Sequence, residues 1–175
     1  MKRLLPLVLL IAGCSAAPVA APPSTTTTTT TTETTVTTTS PRMDTPRKLP
    51  ADPCQLLAAG DFGTPLADVP APFPDLPRSC VFREGTGADS DLFVIVQFAG
   101  AFAKPDNSQE ALVELHTAAV SFATAPGVME CTYLVAVNSA ESFKVIASLR
   151  NGNDTQVSSI ALGKAQRAFK RLVTP

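Results

Sequence analysis

Eight consecutive threonines at residues 25–32 sit inside a longer stretch, residues 15–50, built from Ala, Pro, Ser and above all Thr. Ordering such a stretch would cost backbone entropy, and it has almost no large apolar side chains whose burial could offset that cost. It is expected to stay an unpacked spacer, so any fold must be built from the residues C-terminal to it. Residues 51–175 remain, the length of one ordinary domain. Threonine and proline together suit an O-glycosylated stalk, and an unmodified tether fits the same composition. The spacer closes on a small basic cluster, Arg42, Arg47 and Lys48, suited to plain solvation or to contact with anionic lipid heads or cell-wall polymers.

Ahead of the spacer, Lys2 and Arg3 precede an apolar run of Leu4, Leu5, Leu7, Val8, Leu9, Leu10 and Ile11. A membrane span needs about 20 apolar residues, so the run reads instead as a cleaved secretory signal over residues 1–13. The tetrapeptide Ile11-Ala12-Gly13-Cys14 resembles the bacterial lipoprotein signal, in which an aliphatic residue and two small ones precede a cysteine. The Cys14 thiol supplies the nucleophile that a thioether to diacylglycerol requires, and Ala12 and Gly13 are small enough to admit a peptidase. The resemblance implies a chain that begins at lipidated Cys14 and is held on the extracytoplasmic face of the cell membrane. Each buried acyl methylene would contribute about 0.8 kcal/mol to that anchoring. Residues 14–50 then form the tether.

The chain has four cysteines, and assigning Cys14 to the lipid leaves Cys54, Cys80 and Cys131. Outside the membrane, disulfides form and persist. Cys54 and Cys80 both lie beside proline-rich irregular chain, which favours a bridge between them and leaves Cys131 as a buried free thiol. Pairings of Cys131 with either partner are also compatible with the sequence. The formal net charge of −1 gives no electrostatic reason to expect nucleic acid.

Within the domain, residues 53–60 read as a short helix, with Asp52 as N-cap, Pro53 at the first helical position and Gly60 as the stop. A proline-rich loop comes next. Residues 80–83 and the apolar run 92–98 predict two strands forming a hairpin across a turn marked by Gly85, Gly87 and Asp89. Asn107, Glu110 and the spacing of Ala111, Leu112, Leu115, Ala118, Ala119 and Phe122 predict a middle helix that ends at Pro126-Gly127. Alternation over residues 131–137 and 143–149 predicts a second hairpin. A final helix is expected, capped by Asp154 or Thr155, with Val157, Ala161, Ala165, Phe169 and Leu172 on one face and Lys164, Arg167, Lys170 and Arg171 largely opposite. Together these elements predict an α+β domain in which an antiparallel sheet of about four strands packs against two to three helices.

The chain also resembles the actinobacterial cell-envelope lipoprotein family built around a domain of unknown function. The resemblance rests on Asp52-Pro53-Cys54-Gln55-Leu56-Leu57, on Cys80-Val81-Phe82 (where the family favours Trp), on Cys131 opening a hairpin and on the alanine-rich helix of residues 161–172. It implies an envelope location and an α+β fold, and it brings no catalytic residues with it.

The residue types that carry chemistry are sparse. His116 is the sole histidine. On the predicted middle helix it falls on the polar-to-boundary side, as a surface residue rather than a member of a catalytic triad. No Cys-x-x-Cys pair suggests a metal site, and Gly85-Thr86-Gly87 lacks the lysine of a phosphate loop. Asp89, Ser90 and Asp91 fit turn polarity better than a calcium loop, and Asn153-Asp154-Thr155 fits a helix cap better than a glycosylation site. No cofactor is expected. An enzyme would require Asp61, Asp68 or Asp75 to converge in a cleft. The expected function is a non-catalytic binding module for a lipid, glycan, peptide or protein. The alternative is an accessory subunit docking on a membrane transport, secretion or sensing complex.

Overall fold

The computed structural model describes residues 40–85 and 91–175. Cys14, its leader and most of the threonine-rich stretch lie outside the described residues, as do Thr86, Gly87, Asp89 and Ser90 of the first turn. Six strands succeed one another as β1 (Ser79–Glu84), β2 (Leu92–Ala99), β3 (Gln109–Val113), β4 (His116–Ala125), β5 (Val128–Ala136) and β6 (Ser142–Arg150). They form one antiparallel sheet in the order β1-β2-β6-β5-β4-β3, and the one α-helix among the described residues, α1 (Asp154–Lys170), packs chiefly on β5 and β6. The α+β class and the helix-covered antiparallel sheet agree with the expectation from sequence.

Alternation within each strand explains the layer. The register aligns Val94 with Ala147 and Cys131, Val96 with Val145 and Tyr133, and Phe98 with Phe143 and Val135. All nine side chains are buried. Facing them, α1 presents Val157, Ala161, Ala165, Ala168 and Phe169, all buried, and its alanines allow the helix to approach the sheet closely. Burying a side chain such as Phe143 contributes on the order of 2–3 kcal/mol. The helix start is fixed by a capping box. Asn153 Oδ1 accepts from the Gln156 amide at 2.9 Å, and Gln156 Oε1 accepts from the Asn153 amide at 3.1 Å. Asn153 is therefore the cap, ahead of the expected Asp154 or Thr155.

The expected middle helix is instead the β3–β4 hairpin, which raises the sheet from about four strands to six. The helical spacing of Ala111, Leu115, Ala118 and Phe122 overlies a second period. His116, Ala118 and Val120 alternate toward the core, and Ala118 pairs with Val135 of β5, whose outer edge would otherwise be left open. Glu114 and Leu115 make the connecting turn at φ 48° and 65°. The usual signals for that turn, Asn-Gly or Asp-Gly, are missing.

The expected first helix is also reduced. Residues 53–60 form a 3-10 turn, Pro53–Leu56, and enter a second, Ala59–Asp61, with Leu57 extended at φ −131° between them. Asp52 does act as N-cap, its side chain accepting from the Cys54 amide at 2.8 Å. A disulfide joins Cys54 to Cys80, with Cα atoms 5.1 Å apart, and pins this segment to β1. Residues 42–49 run along one end of the sheet and helix, held by backbone bridges from Met43 to His116 and from Lys48 to Val173.

Candidate functional site

The helix covers one face of the sheet, and the other face holds the candidate site. Pairing across β1, β2 and β6 places Val81, Ile95 and Ile146 in one row on that face. The adjacent row is Arg83, Phe93, Ser148 and Glu130. Ile95, Phe93 and Ile146 are only half-buried, although they lie on central strands.

The proline-rich loop between the second 3-10 turn and β1 forms the wall. Its backbone pairs with β1 through Ala71 and Val81, at 2.8 Å from the Val81 amide to the Ala71 carbonyl. Ser79 Oγ donates to the Leu76 carbonyl at 2.5 Å, and the Leu76 amide donates to the Phe73 carbonyl at 3.1 Å. These bonds hold Phe73 and Leu76 over Val81 and Ile95. Between wall and floor lies a groove of about 630 Å³, lined by Phe73, Leu76, Val81, Phe93, Ile95 and Ile146, with Asp75, Arg83, Glu130 and Ser148 also lining it. A smaller cavity of about 270 Å³ continues along the loop past Phe73 to Val69, which is 88% exposed. A groove tied down in this way exists before any ligand arrives, and such a site avoids part of the ordering cost of binding.

Arg83, Ser148 and Glu130 of the groove are held by neighbouring groups. The Arg83 guanidinium lies 5.4 Å from the centre of the Phe93 ring and 3.5 Å from Asp68 Oδ2. Ser148 Oγ donates to Glu130 Oε2 at 3.0 Å. Asp75 is exposed on the wall.

No family model, curated protein or solved structure matches the chain. The site's chemistry therefore has to be read from its own side chains. Among the described residues no group of three His, Cys, Asp or Glu side chains is placed to hold a metal ion.

The residues singled out from sequence are spread over the fold. Cys54 and Cys80 form the favoured bridge. Cys131 is a buried free thiol on the helix-facing side of β5, and burial pushes it up to about 11. His116, expected on the surface, is fully buried, because a strand turns it toward the core where a helix would have turned it to solvent. Its Nδ1 lies 2.8 Å from the Ala136 carbonyl, and its Nε2 accepts from the Thr45 amide at 3.3 Å.

The three aspartates considered for an enzyme do not converge. Asp61 binds Arg167 at 3.3 Å and Arg171 at 2.9 Å on the helix side, Asp68 binds Arg83, and Asp75 lines the groove. Lys164, expected on the solvated face of α1, is buried. Its Nζ sits 3.7 Å from the centre of the Phe62 ring, donates to the Asp61 carbonyl at 2.7 Å and lies 3.9 Å from Glu84.

The groove itself went unread in the sequence, though a signal for it was present. The run Leu92-Phe93-Val94-Ile95-Val96 is apolar at every position, the pattern of a strand covered on both faces. The first 3-10 turn and the core cover one face of β2, and on the other Phe93 and Ile95 stay half-buried beneath the loop and floor the groove.

Proposed function

We propose that the chain is a non-catalytic binding module of the cell envelope, anchored to the membrane through lipid on Cys14, and that its ligand seats in the groove under the proline-rich loop. The observation that carries this reading is the floor of Ile95, Phe93 and Ile146, half-buried apolar side chains on central strands beneath a wall held by backbone hydrogen bonds. Apolar surface kept partly exposed at such a position loses the stabilisation that full burial would give, which is the usual signature of a site awaiting a ligand. The lipobox and the spacer support the envelope location. The expected family, the actinobacterial envelope lipoproteins, is part of the same proposal.

Titration with an uncharged pyrene-labelled fatty alcohol tests the groove. The emission change is expected in the parent chain and not in Ile146→Glu, whose carboxylate would be placed on the apolar floor; equal responses would refute the reading. Membrane fractionation tests the anchor, because Cys14→Ala should release the protein into the soluble fraction.

A second reading, an accessory subunit docking on a membrane complex, draws on a different observation. Leu112 on β3 and Leu115 in the turn that follows are 51% and 55% exposed, and the outer edge of β3 is unpaired among the described residues.

A further inference from the structure

The charges around the groove narrow the class of ligand. Among the described residues lining the groove and its extension along the loop are three carboxylates, Asp68, Asp75 and Glu130, and one cation, Arg83. Arg83 pairs with Asp68. Two negative charges, on Asp75 and Glu130, are left over. They stand on opposite sides of the apolar floor. Asp75 is on the wall beside β1, and Glu130 is on β5, three strand spacings away, on the order of 14 Å. Two further cations share this face of β6, Lys144 two residues beyond Ile146 and Arg150 two residues beyond Ser148, and neither lines the groove or forms an ion pair with Glu130 within 4.0 Å.

An amphiphile carries its charge at one end and reaches one such carboxylate. A polypeptide that places cations on both sides of an apolar side chain reaches both. We propose that the groove takes a basic, apolar peptide segment of a partner protein, with an apolar side chain seated on Ile95 and Ile146 and a Lys or Arg on each side, one directed to Asp75 and the other to Glu130. This rests on the groove being a binding site. It adds the sign of the ligand's charge and its polymeric nature. Carboxylates that are exposed, as Asp75 is, or half-buried, as Glu130 is, contribute modest affinity and most of the selectivity against acidic competitors.

Fluorescence anisotropy on the full-length Cys14→Ser chain tests it with two labelled hexapeptides, one alternating Lys with Leu and Phe and the other carrying Glu in place of each Lys. The Lys peptide is expected to bind at least about tenfold more tightly than the Glu peptide and to weaken as salt is raised. Asp75→Asn and Glu130→Gln, which keep shape and hydrogen bonding, should each weaken the Lys peptide about fivefold without weakening the Glu peptide. Equal binding of the two peptides, or unchanged affinity in both carboxamide variants, would overturn the proposal. Response to the pyrene-labelled alcohol without binding of the Lys peptide would also overturn it while leaving the groove as a site for apolar ligands. Response to none of the three probes would remove both.

Discussion

The ring of His116 meets the ring of Phe169 edge-on, with centroids 4.5 Å apart, where the segment of residues 42–49, the sheet and α1 come together. The partners of the imidazole assign its tautomer. Nδ1 faces a carbonyl and so carries the hydrogen, and Nε2 faces the Thr45 N–H and so presents a lone pair. A surface histidine would be dispensable, but this one joins the N-terminal segment to the core.

His116→Ala is therefore expected to destabilise the domain by about 3–4 kcal/mol, through a cavity beside Phe169 and two backbone groups left without partners. His116→Phe keeps the ring contact and should recover roughly half of that loss. Hydrogen exchange at Thr45 should accelerate in both variants, and a loss below about 1 kcal/mol in the alanine variant's denaturant unfolding would contradict this role.

Lys164 makes a comparable prediction on the other side of the helix. Its stem and ammonium pack on Phe62 while Nζ bonds the Asp61 carbonyl, so Lys164→Ala should cost about 3 kcal/mol, against the ±0.5 kcal/mol of an ordinary surface lysine. Burial holds this ammonium below its ordinary value of 10.5, against the opposing pull of Glu84. Just below 10.5 the unfolded chain then binds more protons than the folded one, so stability contributed at this site rises with pH through that window. Lys164→Met should flatten that rise in unfolding free energies measured between neutral and alkaline pH.

The bridge between Cys54 and Cys80 closes a loop with a sequence separation of 26. Loop entropy alone puts its loss at about 3.5 kcal/mol. The double variant Cys54→Ala, Cys80→Ala should lower the urea midpoint accordingly. It should also loosen the 3-10 segment at Pro53–Leu56, which proteolysis within residues 50–60 would report.

Cys131 should behave in the opposite way to a reactive cysteine. With the thiol raised from 9.0 to about 11 by burial, its thiolate fraction at pH 8 falls about a hundredfold. Native protein should resist iodoacetamide at that pH and be labelled only after denaturation. Between 9.0 and about 11 the folded state keeps a proton that the unfolded state has lost, so this site's contribution to stability falls as pH rises there. Fast native labelling would contradict the burial.

Four of the six strands are legible in the sequence, β1 and β2 on either side of a glycine-marked turn and β5 and β6 by their alternation, whereas Pro126-Gly127 reads as the end of a helix and in fact ends β4. The β3–β4 hairpin was hidden. Its alanines and leucines satisfy helical spacing as well as strand spacing, and only the need of β5 for an outer partner decides between them. Misplacing that hairpin also misplaced His116, since the same residue faces solvent on the helix and the core on the strand. Lys164 was misread because a long aliphatic stem can lie over an aromatic ring while its charge finds a carbonyl, and periodicity does not show which cations do so. The groove depends on a loop folding back over a distant strand face, and spacing along the chain does not encode that.

Methyl-resolved NMR of the protein titrated with the uncharged pyrene-labelled alcohol tests the groove most directly. Binding there should shift the methyl resonances of Leu76, Val81, Ile95 and Ile146 together, and leave those of Val135 and Val157, buried on the helix-covered face, in place. Shifts centred on Leu112 and Leu115, or none at all, would contradict it.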